Sequence, residues 1–578
     1  MELINKKIII DNYEQAKKLF ISGLESYQKE LYEDAEHFFF LSLKLLPDHL
    51  STLTNLSAVL IKLKKVEKAN EIITQGIHLY PTNEVFYLNQ GLLFALNQEW
   101  QKSLVSFNQA IKIKPDYAEA YYNCGNALQE LKRFEEALIS YQQAITIKPD
   151  YAEAYNNRGI TLQELKRFEE ALISYQQAIT IKPDYAEAYG NSGIVLFKLK
   201  CFTEALTFLE KAIIYKPDYI DAYYNHAVCL ESLNRFEEAI ASYKQAIMIK
   251  PDYAVAHWNL SLSQLLLGNF QEGWLEYEWR WTYYEETKQL AGFRIFDQPL
   301  WLGEESVKDK TILIYAEQGL GDTIQFCRYI PLVSALGAKI ILEVQRPLLN
   351  LLRNLEGVTQ LIGSGSQLPE FDYRCPLLSL PLAFKTTIDS IPSPIPYIYS
   401  SEDNQNKWRE YIGDGGFKIA ICWQGNTQNK IDVGRSFPVS LFEDISKING
   451  VRLISLQKNE GVEQMKNLPV GMKIETLPED FDSGDNAFLD SVAVMKCVDL
   501  VITSDTALTH LAGSLGVESW LPLRHVPDWR WLLDRKDSPW YPSLKLYRQP
   551  VVDDWSSIFN KMETELKIRV PTKLARQQ

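Results

Sequence analysis

Residues 116–149 read DYAEAYYNCGNALQELKRFEEALISYQQAITIKP, and residues 150–183 repeat that stretch with changes at only four positions. Small and apolar side chains recur at helical spacing in two runs, split by the polar turn Leu131-Lys132-Arg133. Proline closes the second run, because it cannot continue a helix and restricts the residue before it. The same punctuation returns every 34 residues at Pro47, Pro81, Pro115, Pro149, Pro183, Pro217 and Pro251. About eight helix–turn–helix units fit between residues 14 and 285, the first and last of them degenerate. Gly125, Gly159 and Gly193 in the first helix, and Ala137, Ala171, Ala205 and Ala239 in the second, are small where paired helices must approach closely. Asp116, Asp150 and Asp184 are expected as acidic N-caps, with Glu119, Glu153 and Glu187 favouring the positive end of the dipole.

This pattern resembles the tetratricopeptide repeat, whose units stack into an α-helical superhelix. The resemblance implies that the first helix of each pair lines the inner face. Asn55, Asn89, Asn123, Asn157, Asn191, Asn225 and Asn259 lie in those helices, one per 34 residues. A stacked series of amides can donate to and accept from an extended peptide, giving a candidate partner-binding ladder; each amide can equally bond a neighbouring helix. The spacing resembles the asparagine ladder of the O-linked N-acetylglucosamine transferases, which also join such repeats to a transferase. At the end of the stack, Trp274, Trp279 and Trp281 read either as a seal or as an aromatic ligand cage.

At 578 residues the chain is too long for a single core, so several domains are expected. A hydrophobic fraction of 46% and a charged fraction of 23% argue against wholesale disorder. The formal net charge of -14 opposes a polyanionic partner, so nucleic acid is not expected. Seven scattered cysteines, none in a CxxC pair, argue for reduced buried thiols rather than a zinc site or disulfide framework. The N-terminal MELINKKIIIDNYEQ has only a three-residue apolar run, far short of a signal-peptide core or membrane span, so a cytoplasmic protein is expected.

An aromatic linker spans about 286–308, and the periodicity then changes. Short apolar runs at Thr311–Tyr315, Lys339–Val344, Val358–Ile362, Lys418–Trp423, Val451–Leu456 and Leu500–Thr503 alternate with helical stretches. Such alternation argues for α/β architecture with parallel sheets. A proline cluster at Pro392, Pro394 and Pro396 divides it into two Rossmann-like lobes, 309–398 and 415–550, followed by a C-terminal helix and tail at 551–578. Ligands of such sheets bind beyond the carboxyl ends of the strands, which makes three loops the candidates.

The first loop runs from Glu317 to Pro331. Gly319 and Gly321 open a helix where backbone can approach a ligand, although Ile324 breaks the full dinucleotide fingerprint. Asp322 there is either an N-cap or an exposed general base. The second loop, Cys422 to Pro438, offers Thr427, Lys430, Arg435 and Ser436, a set suited to a pyrophosphate. The third, Ser504 to Gly516, places Asp505 and Thr506 at a helix start and His510 one turn in, as ligand contacts or as a cap and a core histidine.

Together these loops resemble glycosyltransferase family 9, the ADP-heptose–lipopolysaccharide heptosyltransferases. Gly321, Asp322 and Pro331 carry the GD-x8-P spacing, and Asp505 to Gly513 the DTALTHLAG run. The match covers about 309–550, within a group of bacterial proteins that fuse tetratricopeptide repeats to this domain. YAEQGLGDTIQFCRY and PDWRWLLDRKDSPWYP (Pro527 to Pro542) typify that group. The resemblance implies a GT-B fold of two Rossmann-like lobes. It makes Asp322 the catalytic base, and Asp505, Thr506, Ala507, Leu508 and His510 the holders of a donor diphosphate-sugar. The family's phosphate-binding lysine is absent near Arg435 and Ser436, and Lys458 is the candidate replacement.

The expectation is therefore a glycosyltransferase, hexosyl- or heptosyl-, using Lys430, Arg435 and a helix N-terminus in place of a metal. No cofactor beyond the nucleotide-sugar substrate is expected, and the DxD at Asp480-Phe481-Asp482 is not expected to bind metal. The repeats would recruit a protein or peptide; the acceptor itself is either protein or envelope glycan. The rival is a non-catalytic interaction scaffold that keeps only a sugar-nucleotide fold.

Overall fold

In the computed structural model, residues 2–288, 294–426, 434–484 and 487–577 are described; Lys430 and Thr427 lie outside them. Sixteen helices follow one another in a regular series, fourteen of them paired as seven hairpins. They are α1 (Glu2–Gln28) with α2 (Tyr32–Leu45), α3 (Leu50–Lys62) with α4 (Val66–Leu79), α5 (Glu84–Leu96) with α6 (Trp100–Ile113), and α7 (Ala118–Glu130) with α8 (Phe134–Ile147). Then come α9 (Ala152–Glu164) with α10 (Phe168–Ile181), α11 (Ala186–Lys198) with α12 (Phe202–Tyr215), the single helices α13 (Ile220–Ser232) and α14 (Phe236–Ile249), and α15 (Ala254–Leu266) with α16 (Phe270–Tyr277). A short α17 (Arg280–Thr287) follows.

Each of the seven hairpins turns on a residue in the left-handed region: Glu30, Lys64, Gln98, Lys132, Lys166, Lys200 and Gly268. At Lys132 the following Arg133 N–H reaches back to Leu128 O (2.8 Å), which satisfies a carbonyl that the helix end leaves open. The small residues do what their size suggests. A Cβ at Gly125 would lie 2.5 Å from the Tyr141 ring, and one at Gly159 would lie 2.4 Å from Tyr175. Ala137, Ala171, Ala205 and Ala239 are fully buried.

The acidic caps are corrected. Tyr117, Tyr151 and Tyr185 occupy the N-cap positions, with no side-chain capping bond. Pro and Asp are spent on the turn before them, which Tyr117 N–H to Lys114 O (3.2 Å) closes.

The chain forms two compact units, Met1–Leu233 and Asn234–Gln578. In the first, the opening helices of successive hairpins touch one another, as α3 does α5 and α11 does α13, so they form its inner layer. The second unit begins at Asn234 rather than at 285 because the last helices of the series share its core. Phe236, Leu265, Phe270, Trp274 and Tyr277 belong to the same core as Ile312, Phe326, Trp529 and Trp540.

The α/β part of the second unit holds two all-parallel sheets. One, in the order β3-β2-β1-β4, comprises β1 (Thr311–Tyr315), β2 (Lys339–Val344), β3 (Gln360–Gly363) and β4 (Tyr373–Pro376). The other, in the order β6-β5-β7-β8-β9, comprises β5 (Phe417–Cys422), β6 (Val451–Ser455), β7 (Leu500–Thr503), β8 (Ser519–Leu523) and β9 (Leu544–Arg548). Around them run α18 (Leu320–Phe326), α19 (Ile330–Ala335), α20 (Leu380–Ala383), α21 (Glu402–Ile412), α22 (Glu443–Ser446), α23 (Leu489–Lys496), α24 (Ala507–Ser514) and α25 (Trp555–Gln577). Trp555, Phe559, Met562 and Leu566 of α25 join Phe417, Ile419, Phe437 and Phe442 in a core over the second sheet.

The tryptophans act as a seal, not a cage. Trp274 is 1% exposed and donates to Thr386 O (3.0 Å), while Trp279 stacks on His257 at 3.9 Å between ring centroids. Among the described residues no helix is long and apolar enough to cross a membrane.

Candidate functional site: a charged cluster at the sheet ends

Strand β1 leads through Ala316–Gly319 into α18, and β7 leads through Ser504–Thr506 into α24. The two helices pack together, and Gly321 permits it: a Cβ there would sit 2.8 Å from His510 Cδ2 and 3.3 Å from Ala507 Cα. The first and third candidate loops are thus brought face to face. Ala507 and Leu508 form the first turn of α24, behind Thr506 as N-cap.

Asp322 is engaged at both oxygens. Oδ2 accepts the Gly319 N–H (2.8 Å), and Oδ1 accepts from Arg530 Nη2 (2.5 Å). The same guanidinium donates to Asp528 Oδ1 (2.9 Å) and to Gln325 Oε1 (2.8 Å), and lies over the Trp529 ring. Arg435 donates to Asp528 Oδ2 (3.0 Å) and lies 3.7 Å from Asp505. Ser436 Oγ accepts the Gly425 N–H (3.0 Å). Gln457 accepts from the backbone N–H groups of Trp423 and Gln424 (both 3.0 Å) and so shapes the start of the second loop.

Burial sets the protonation of this cluster. Burial works against ionised Asp528, but the Arg530 and Arg435 guanidiniums more than reverse it and hold its carboxyl well below the usual range. Burial raises Asp505, which has the weaker claim on Arg435 and faces the Asp528 charge. Burial, with Arg530 nearby, pushes His510 well below the usual imidazole range, so its ring is neutral. That ring contacts Tyr541 OH through Nδ1 (3.1 Å) and lies against Trp531. Ser504 Oγ, Thr506 Oγ1 and Arg435 Nε are buried without a hydrogen-bond partner among the described residues. These unused donors lie at the carboxyl end of β7, beside the first turn of α24, where backbone N–H groups also favour an anion.

Not every candidate belongs here. Lys458 donates to the carbonyls of Phe481 and Asp482 and pins that loop. Asp482 in turn accepts from the N–H groups of Asp490 (2.9 Å) and Ser491 (3.1 Å), tying down the start of α23. Phe481 packs on Trp408. Among the described residues, no group of three or more His, Cys, Asp or Glu side chains converges as metal ligands would.

The asparagine series divides. Nδ2 of Asn55, Asn123 and Asn225 returns to the carbonyl four residues earlier in its own helix (2.7, 2.8 and 2.7 Å). Asn89 instead reaches Ser57 Oγ (2.7 Å), Asn157 reaches Asn126 Oδ1 (2.9 Å), and Asn191 reaches Asn156 Oδ1 (3.0 Å), all on the preceding hairpin. Asn259 lies in α15, in the second unit.

Asp528 and Arg530 were missed as site residues, as was Arg524, which is buried near Arg435 and Asp528. Their signal was the alternation of charge and tryptophan in PDWRW, directly after β8.

Comparison with known families reaches the helical part. The model described as TPR repeat matches residues 91–132, 125–166 and 229–268, and Tetratricopeptide repeat matches 152–185. The hairpins are tetratricopeptide repeats. Protein FlbA of Caulobacter vibrioides is 25% identical over 302 residues, 48% of this chain and 49% of that protein. The chain thus spans about half the length of this curated relative. Among solved structures, YrrB, described as a TPR protein with an unusual peptide-binding site, aligns at 24% identity over 32% of this chain and 95% of its own, with a TM-score of 0.28. A tetratricopeptide repeat protein from Parabacteroides merdae aligns at 17% identity over 43% and 99%, with a TM-score of 0.35.

Proposed function

We propose that the chain is a metal-independent glycosyltransferase whose tetratricopeptide repeats recruit a protein or peptide partner. The observation that carries the transferase reading is the gathering of Ser504 Oγ, Thr506 Oγ1 and the Arg435 guanidinium at the end of β7, the two buried hydroxyls having no hydrogen-bond partner among the described residues. Donors aimed into such a place suit the diphosphate of a nucleotide-sugar. Asp322, delivered to the same cluster by α18, is the base towards an acceptor hydroxyl once Arg530 yields its Oδ1. Its GD-x8-P setting, similar to that of glycosyltransferase family 9, supports the same role and a GT-B arrangement of the two sheets.

A non-catalytic scaffold is the second reading, favoured by the closed hydrogen bonding of Asp322 itself. A thermal-shift screen of nucleotide-sugars, followed by donor hydrolysis with wild type and Asp322→Asn, separates the two. The transferase reading expects a donor that raises the melting temperature and is turned over by wild type alone. Stabilisation with equal inertness in both proteins supports the scaffold.

A further inference from the structure

Helix α17 and the helix before it reach into the loop that carries Asp322. Arg280 is fully buried. Its guanidinium donates to Glu317 Oε1 from both Nε (3.2 Å) and Nη2 (2.9 Å), to Ser379 Oγ (2.7 Å), to Glu278 Oε1 (2.7 Å) and to Tyr277 O (3.1 Å). It is held between the rings of Tyr277 and Trp281. One residue further along the loop, Gln318 Nε2 donates to the hydroxyls of Tyr277 (3.2 Å) and Tyr284 (3.4 Å). The Gln318 carbonyl accepts from Gln345 (2.8 Å), and the next N–H, that of Gly319, is the one that Asp322 receives.

We propose that Arg280 and Tyr284 are positioning residues: the short helix α17, which follows the repeats, holds Glu317–Gly319 in the conformation that presents Asp322 to Arg530. The charge distribution favours this. The Glu317 carboxyl is 4% exposed, and its Oε2 lacks a partner among the described residues. Burial raises it to about 7 even though Arg280 opposes the shift, with Glu278 and Asp322 adding to it. Without Arg280, Glu317 would lose both N–H donors on its Oε1 and the cation beside it, and would have to take up a proton or move outward to hydrate. The kinetic part of the inference rests on the role proposed for Asp322; the structural part does not.

The test uses the full chain and follows amide exchange by segment. Arg280→Met should speed exchange over 316–323 by about tenfold or more, with β5 and α25 unchanged. Arg280→Lys should recover part of the protection, and Tyr284→Phe should give an increase of about two- to threefold. With a nucleotide-sugar that wild type hydrolyses, Arg280→Lys should lower kcat about tenfold and leave KM unchanged. Should Arg280→Met fail to fold, the Lys and Phe variants carry the test. Unchanged exchange over 316–323 in these variants, or equal acceleration throughout the second unit, overturns the proposal. Absence of hydrolysis by wild type defeats the transferase reading, while the exchange pattern still decides this one.

Discussion

Replacing Asn89 and Asn123 separately by Ala gives opposite signs, although the two sit 34 residues apart at equivalent positions. Asn89 is 3% exposed, and its amide serves Ser57 Oγ (2.7 Å) and Thr54 O (3.3 Å) on the preceding hairpin. Truncation leaves buried polar atoms short of a partner, at a cost of about 1–3 kcal/mol. Alanine recovers roughly 0.5 kcal/mol of that through better helix propensity. The net loss is about 0.5–2.5 kcal/mol, concentrated at the junction of α3 and α5. Asn123 spends its amide on Glu119 O of its own helix in a solvated setting, where water replaces the bond. Asn123→Ala should therefore be neutral or stabilising by a few tenths of a kcal/mol. Repeat arrays do not unfold in two states, so the assay is segment-resolved amide exchange rather than a single melt. Asn89→Ala should speed exchange in α3 and α5 about 2- to 70-fold. Asn123→Ala should change nothing there, yet weaken capture of a peptide partner. Equal destabilisation by both variants refutes the division of the ladder into inter-repeat bonds and amides bonded within their own helix.

Gly321→Ala puts a methyl 2.8 Å from His510 Cδ2 and 3.3 Å from Ala507 Cα, so α18 and α24 must part. Chemical denaturation should show a loss of about 1–3 kcal/mol. His510 is held neutral, with its pKa depressed in the folded state, so the unfolded chain takes the proton first. Its contribution is present above about pH 6.5 and lost as pH falls below that value, with a slope of at most about 1.4 kcal/mol per pH unit. Wild type should accordingly lose stability on acidification faster than His510→Gln, and parallel profiles would contradict the assignment. Arg530→Met leaves Asp322 and Asp528 without their shared cation and should cost about 3–5 kcal/mol in urea unfolding. Adding Asp322→Asn should return part of that loss.

The repeats were legible because one constraint recurs: each unit needs a proline-closed turn and small residues where helices cross. A period therefore exposes them even where Ser57 or Ala227 replaces glycine. Six strands were legible as apolar runs, three of them with ends shifted by one or two residues. β4, β8 and β9 were not, because YRCP and LKLYR carry charge and proline, and SWLPL is broken by proline. The acidic N-caps failed because Asp after Pro is a turn residue as much as a cap, and local spacing does not separate the two. Site residues contributed by sequence neighbours of glycine were visible; Arg530 and Arg280 were not. A buried arginine is recognisable only by the carboxylates brought to it from 208 and 37 residues away.

That distinction bears on how an anion would enter the cluster. Arg530 is fixed by Asp322, Asp528, Gln325 and the Trp529 face, so drawing it away breaks several interactions at once. Among the described residues Arg435 has one bond, at 3.0 Å to Asp528, and its Nε makes only a looser approach of 3.7 Å to Asp505, with 19% of its side chain exposed. It is the guanidinium that can turn to a diphosphate for the loss of one bond. In doing so it removes the cation that faces Asp505, whose carboxyl burial already raises. Asp505 then takes up a proton more readily as the anion binds, and the site avoids two like charges side by side. Binding of a diphosphate should therefore be accompanied by proton uptake, measurable as a buffer-dependent binding enthalpy by titration calorimetry. Asp505→Asn should abolish the buffer dependence. Proton release on binding, or a dependence that survives in Asp505→Asn, would mean that Arg435 stays with its carboxylates and the anion is held elsewhere.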